Sequence, residues 1–319
     1  MNNISVKEVC NTLLSSDNIL IVTHQSPDGD TFGSGYALYF ALKQLGKRAR
    51  VVCSDEPPER YMFLLEGYRH DEFEPELIVA VDLADRQLFG EKYMHLADKV
   101  DISIDHHPSN TRYARRVLLR PHASATCEIM YDVIKKLGVT FDVQISTCIY
   151  TGIATDTGCF RFSNTTAKAH LIAARMMACG VNTAQINRWM FETKSVSRIM
   201  IERQVLESIE YYFDHKCALI YITQAMLAAS GAEESELEGI STLPRQISGV
   251  QIGVMLREKE TGEFKISIRT NEGFDASKIC GELGGGGHMK AAGCVVPGDL
   301  DNAKRTIVQT IEKYMQYSQ

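Results

Sequence analysis

The chain has no long apolar run, no CxxC pair and no excess of basic charge, and each absence removes a class of function. None of its apolar stretches is long enough to span a bilayer, so no membrane-spanning role is expected. Its nine cysteines are odd in number and scattered. That usage offers neither a disulfide framework nor a thiolate zinc site, and it fits a cytoplasmic protein in a reducing compartment. The opening residues MNNISVKEVC lack the basic region and apolar stretch of a secretory signal. Against 34 basic residues stand 40 acidic ones, a net charge of −6. A protein gripping long nucleic acid through many phosphates carries a basic excess instead. Any nucleic-acid substrate is therefore expected to be short, or neutralised mainly by bound metal. Low-complexity tracts and internal repeats are also missing.

What is present is an ordinary globular composition, 45% hydrophobic and 23% charged over 319 residues, long enough for two domains. Apolar, β-branched runs at 19–23, 49–53, 77–81 and 100–104 read as strands, with helical spacing at 6–14, 32–45, 123–137, 143–154, 166–179 and 183–191. Uniformly apolar strands alternating with helices predict an α/β domain, a parallel sheet covered by helices on both faces. Residues 195–212 form a long, charged helical pattern that reads as a connector. After Asp214 the pattern changes to strands at 218–222, 250–256 and 264–269, a hairpin around Thr261 and Gly262, a short helix near 276–280, a strand near 294–296 and a closing helix from Asp301. The expected organisation is a first α/β domain over 1–194, a helical connector over 195–213 and a smaller α/β domain over 214–319.

The polar residues that end the apolar strands carry the chemistry. His24 follows the first, Asp82 follows 77–81, and Asp105 with His106 follow 100–104. In an open parallel sheet the carboxyl ends of the strands face one crevice, where ligands bind. Asp28 and Asp30, in a PDGD turn just after His24, and Asp156, in a Thr-Asp-Thr-Gly turn after an apolar helix, complete the set. Any one of these is equally a turn or capping carboxylate, or an interior histidine; six together point to metal. Two divalent ions about 3.5–4 Å apart need a bridging carboxylate and several terminal ligands. Asp82 is the natural bridge, with His24 and Asp28 serving one ion and Asp30, His106 and Asp156 the other. Imidazole and carboxylate without thiolate favour manganese, with magnesium second.

Together, His24-Gln25-Ser26-Pro27-Asp28-Gly29-Asp30, Asp82, Asp105-His106-His107 and Thr155-Asp156-Thr157-Gly158 resemble the four motifs of the DHH phosphoesterase superfamily. Gly284-Gly285-Gly286-Gly287-His288, followed by Ala291-Ala292-Gly293, resembles the signature of the DHH-associated carboxy-terminal domain. Size and domain order are similar to the branch of small oligoribonucleases, the nanoRNases, that also act as phosphatases on 3′-phosphoadenosine 5′-phosphate. The resemblance implies a manganese-dependent phosphoesterase in which water activated between two cations attacks phosphorus in line. His107 is then free to donate to a phosphoryl oxygen or to support the ligands, and Asp105 to orient the neighbouring histidines.

The substrate groups are expected in the second domain. Consecutive glycines let backbone N–H groups converge on an anion, so Gly285, Gly286 and Gly287 with His288 read as a phosphate loop rather than a flexible linker. Arg269 ends a strand and can take a phosphate bidentately; the alternative is a solvated surface arginine. The resemblance places the scissile phosphate on the metals and the distal nucleotide on the glycine loop, with domain closure about the connector. The partners so implied are short RNA oligonucleotides and nucleoside bisphosphates, with no long-tract nucleic acid and no membrane; a homodimer is compatible with the sequence. Arg112, Arg115, Arg116 and Arg120 read mainly as a solvated face. Phe160 and Phe162 read as core or as stacking platforms, and Trp189 as packing. Among rivals, family-type inorganic pyrophosphatases lack the glycine-histidine loop and long-tract exonucleases are larger. A soluble cyclic-dinucleotide phosphodiesterase stays open, and a non-catalytic nucleotide-binding module predicts a missing ligand that is not found.

Overall fold

The computed structural model describes residues 3–237, 239–271 and 273–317, and the chain divides into two compact units, Met1–Thr193 and Lys194–Gln319. The sheet of the first unit has five strands: β1 Ile19–Val22, β2 Ala49–Val52, β3 Leu77–Val81, β4 Ile102–Asp105 and β5 Arg116–Leu119. Their order is β2-β1-β3-β4-β5, and every pairing is parallel. β1 and β3 are buried at each residue, because alternate side chains serve opposite faces and both faces are covered. Ile19, Ile21, Val79, Val81, Ile102 and Ile104 enter a core shared with the helices Gly29–Gln44, Thr126–Leu137 and Val143–Asp156. Leu20, Val22, Ile78 and Ala80 pack with Leu83, Phe89 and Leu96 on the other face. The cover there is a series of short helical turns from Arg86 to Lys99, where no helix was expected.

The strand order reverses between β1 and β3. The chain winds from β1 outward to β2, then returns past β1 to β3. In a sheet of this order the crevice at the carboxyl ends of these two strands is the ligand position. His24 lies just beyond β1 and Asp82 directly follows β3. The helix after β1 begins at Gly29, three residues earlier than the apolar pattern suggests, because Asp28 caps it by accepting from the backbone N–H groups of Asp30 and Thr31. Asp156 is the last residue of its helix rather than a turn residue.

β5 was not expected, since the four residues RVLL behind a basic stretch are too few to show a period. Its register, Asp105 opposite Leu119, extends β4. The four arginines around it take partners inside the unit. Arg112 donates to Asn3, Arg115 to Asp101, Arg116 to the Thr12 hydroxyl and Arg120 to Asp132.

The second unit holds a six-stranded sheet ordered β10-β11-β9-β8-β7-β6, with β6 Glu210–Tyr212, β7 Cys217–Ile222, β8 Ile252–Glu258, β9 Glu263–Thr270, β10 Gly286–His288 and β11 Ala291–Pro297. Only β7 and β8 pair in parallel, and β8 and β9 form the expected hairpin across Gly262. The supposed connector helix ends at Glu207, not near Tyr212. Ser208 terminates it by bonding back to the Val205 carbonyl and accepting from Tyr221 N–H, and the next residues join the sheet as β6. Ile201 and Val205, one helical turn apart, pack on Ile220 and Ile222 of β7. The helix is thus core of the second unit. No helix among the described residues is long and apolar enough to cross a membrane.

Candidate metal centre

Asp82 sits at the middle of the strand-end crevice, nearly fully buried, with φ at +54°. Non-glycine residues seldom occupy this left-handed region, and such strain gathers at functional sites. The backbone N–H of Asp82 still donates to Ile104 O at 2.9 Å, so the turn is anchored. Its carboxylate oxygens diverge. Oδ2 lies 3.6 Å from His24 Nε2, whereas Oδ1 lies 3.8 Å from His106 Nε2 and 3.6 Å from His107 Nδ1.

Both outer histidines are set in one tautomer. His24 Nδ1 is 2.7 Å from Gln25 O, and His106 Nδ1 is 3.1 Å from Ala123 O. A carbonyl only accepts, so each Nδ1 carries a proton and Nε2 is the nitrogen left to face the carboxylates or, once deprotonated, a cation. His24 Nε2 also lies 3.8 Å from Asp28 Oδ1. His106 Nε2 lies 3.4 Å from Asp156 Oδ2 and 4.0 Å from Asp30 Oδ2. The six residues proposed as ligands therefore converge as two groups, His24-Asp28-Asp82 and Asp30-His106-Asp156, and Asp82-His106-His107 forms a third. Gly152 makes room for them: a Cβ there would stand 2.7 Å from Asp30 Oδ1.

Asp105 and His107 play a different part. Asp105, fully buried, accepts from the backbone N–H groups of His106 and His107, from His107 Nδ1 at 2.8 Å and from Asn110 Nδ2 at 2.6 Å. Burial pushes its carboxyl up, but the bonds from His107 and Asn110 outweigh this and hold it below the ordinary value. His107 is correspondingly raised, to about 9, against the opposing effect of burial.

The electrostatics call for a cation. Burial first, then the Asp30 charge, pushes the Asp82 carboxyl well above its normal range. Burial, Asp30, Asp82 and Asp28 push Asp156 up to about 9. Burial opposes charging of His24, yet Asp28 and Asp82 overcome it and raise its pKa to about 11. Four carboxylates crowded into one crevice, Asp30 and Asp82 of them nearly fully buried, repel one another until positive charge is supplied. Imidazole nitrogen and carboxylate oxygen without thiolate suit a hard or borderline divalent ion. The donor set fits the cofactor that the motifs imply.

The DHH family, N-terminal domain, matches residues 18–153, and the DHHA1 domain matches residues 219–316. A bifunctional oligoribonuclease and PAP phosphatase NrnA from Thermus thermophilus is 35% identical over 303 residues, covering 92% of this chain and 89% of that protein. This chain belongs to the DHH family. Its DHH domain holds the crevice just described. The NrnA of Bacillus subtilis is 24% identical over 91% of this chain and 92% of its own length. Among solved structures, an exopolyphosphatase-related protein from Bacteroides fragilis superposes with a TM-score of 0.87 at 26% identity, covering 98% of this chain and 97% of that one. An exonuclease RecJ bound to manganese, 12% identical with a TM-score of 0.55, covers 100% of this chain and 95% of its own and shares the fold.

In the DHHA1 domain the glycine run does not form a nest. Gly286–His288 is the edge strand β10, paired antiparallel with Ala291–Gly293, so its amides alternate in direction instead of converging. The glycines serve close approach: a Cβ on Gly285 would stand 2.3 Å from Gly293 O, and one on Gly287, at φ +146°, 2.6 Å from Ala291 O. The register places Gly253, Arg269, Ala291 and His288 in one row across four strands. Side chains in such a row share a face, and glycine and alanine on either side put no large side chain against the Arg269 stem within the row. Arg269 is half-buried, donates to Ile268 O at 3.0 Å and is depressed by burial and by Arg245. No carboxylate pairs with it among the described residues.

Sequence reasoning missed the residues that support the candidate ligands. Thr126, Ala123, Asn110 and Asn164 all bond to the centre or its backbone. Only Thr126 carried a local signal, as the polar first residue of an amphipathic helix; Ala123, Asn110 and Asn164 lie in loops and gave none. Phe160 stacks on His170 and packs against the core, Phe162 is exposed, and Trp189 packs against Phe63.

Proposed function

We propose that the protein is a metal-dependent phosphoesterase that hydrolyses very short oligoribonucleotides to mononucleotides and removes the 3′-phosphate of 3′-phosphoadenosine 5′-phosphate. The observation that carries the reading is the divergence of the Asp82 oxygens toward two separate histidine-carboxylate groups, as a bridging ligand requires. The names of the NrnA relatives, similar along most of their length, support the substrate class. His24, Asp28 and Asp82 would hold one cation, and Asp82, Asp30, His106 and Asp156 a second, manganese ahead of magnesium given the imidazoles. Two such cations lower the pKa of water and neutralise charge on a phosphoryl group. The chain's own contribution lies in positioning. His107, with Nδ1 committed to Asp105, has Nε2 available to donate to a phosphoryl or leaving-group oxygen. Arg269 and His288 are the groups assigned to the substrate's remaining anionic part. Nine free cysteines support a reducing, cytoplasmic setting.

Initial rates would be compared for pApA, a five-nucleotide RNA, a 24-nucleotide RNA, 3′-phosphoadenosine 5′-phosphate and a cyclic diadenylate, each with manganese and with EDTA. The expected result is manganese-dependent turnover of the dinucleotide and the bisphosphate, falling steeply with length. Rates that rise with length, or that exceed all others on the cyclic dinucleotide, overturn the substrate assignment.

A further inference from the structure

The short turn over residues 123–128 touches both halves of the candidate centre. Ala123 O accepts from His106 Nδ1. Thr126 N–H donates to Asp30 Oδ2 at 2.6 Å and Cys127 N–H to Asp30 Oδ1 at 2.9 Å. The Thr126 hydroxyl donates to Asp82 Oδ1 at 2.8 Å. The helix that starts at Thr126 follows Ala125, which has no capping side chain, so Asp30 supplies the missing cap from another element. Glu128 in turn pins Ser124 through its N–H and its hydroxyl. Thr126, fully buried, is thus the one residue among those described that hydrogen-bonds a carboxylate from each group.

We propose that Thr126 is a positioning residue that fixes the rotation of the Asp82 carboxylate so that its oxygens face two different cations. The torsion that turns a carboxylate about its own axis is soft and broad. A buried hydroxyl bonded to Oδ1 alone removes that freedom, directing Oδ2 at His24 and leaving the second lone pair of Oδ1 toward His106. The Thr126 amide simultaneously holds Asp30, so one rigid helix start sets the separation of the two groups. Outer bonds of this kind contribute about 10–100-fold to metal affinity. The inference rests on the two-cation reading, and the test separates the two.

Metal-stripped wild type, Thr126→Val, Thr126→Ala and Thr126→Ser would be titrated with manganese by calorimetry, and the loaded proteins examined by electron paramagnetic resonance. Wild type is expected to take up two ions and show an exchange-coupled pair. Thr126→Val and Thr126→Ala keep the amide bond to Asp30 but lose the hydroxyl; the second ion should bind about 10–100-fold more weakly and the coupled signal should vanish. Thr126→Ser should restore both. Two ions at wild-type affinity with an intact coupled signal in either hydroxyl-free variant overturn the role of Thr126. So does equal loss in Thr126→Ser together with a lowered Tm of the stripped protein, which marks a packing role. Fewer than two ions in wild type overturns the two-cation reading instead.

Discussion

His107 Nδ1 lies 2.8 Å from Asp105 Oδ1 at the end of β4, a bond that turns the ring's other nitrogen away from its own strand. Asp105 does not itself belong to any of the three metal-compatible groups; its bonds go to His106 N–H, His107 and Asn110. Its bond keeps the His107 imidazole in place beside the carboxylates of the candidate centre.

Replacing His107 by Gln should therefore lower kcat by about 10²-fold or more while leaving manganese binding within a few-fold, since a positioned proton donor contributes about 10²–10⁴. Asp105→Asn should reproduce much of that loss and shift the basic limb of the pH–rate profile downward, because the carboxylate that raises His107 is gone. Steady-state kinetics across pH 6–10 provide the check. An unchanged kcat in both variants contradicts the assignment.

Asp82→Gly separates function from stability. The residue adopts φ +54°, which glycine enters freely, and its removal takes one buried carboxylate out of a crowded set. Relief of backbone strain and of like-charge crowding offsets the lost bond from the buried Thr126 hydroxyl, so the metal-free protein should stay folded with a Tm in EDTA within a few degrees of wild type. Turnover should fall by at least about 10³-fold, as expected when a dimetal site loses its bridge. A variant within tenfold of wild-type rate would exclude Asp82 as a bridge.

The strand ends of the first unit were legible because the signal is local. An apolar, β-branched run that stops at His24, Asp82 or Asp105 announces a buried parallel strand and the edge where its polar end emerges. The structure gathers His24 and Asp82 there with Asp28, Asp30, His106 and Asp156, the six expected metal ligands. What failed depended on partners distant in sequence or on residues without local preference. β5 is a strand only because β4 offers an edge. The glycine run has no strand propensity of its own and becomes β10 by folding back on Ala291–Gly293. Thr126 caps nothing in its own segment; its bonds reach residues 44 and 96 positions away.

The crowding at the centre predicts how pH acts on the metal-free protein. His24 moves from 6.5 to about 11 and His107 from 6.5 to about 9 on folding. A raised histidine gives stability that is complete below pH 6.5 and is lost as pH climbs through its folded value. Asp156 moves from 3.8 to about 9, so the unfolded chain ionises first and stability again declines as pH rises above 3.8. Between pH 6.5 and 9 the unfolded state binds fewer protons than the native one, and the sign is the same for all three groups. Thermal scans in EDTA should show Tm falling across that window. The Tm gained on adding manganese should grow over the same range, since metal displaces those protons. A stripped protein whose Tm is flat or rises from pH 6.5 to 9 contradicts this account.

Arg269 offers the cleanest test of the second unit, because its removal costs the fold little. Its bond goes to the carbonyl of the preceding residue, no carboxylate is left unpaired by its loss, and Gly253 and Ala291 flank it in the sheet. Arg269→Ala should leave Tm within about 2 °C, the range of a surface substitution, and leave manganese binding unchanged. A lost guanidinium–phosphate contact is a charge-assisted bond of about 1.5–3 kcal/mol, so KM for 3′-phosphoadenosine 5′-phosphate should rise about 10–150-fold. Arg269→Lys keeps the charge without the planar fork and should recover only part of that loss. If KM stays at the wild-type value in Arg269→Ala while Tm drops by several degrees, the arginine is structural, and the anion must be held elsewhere on this unit.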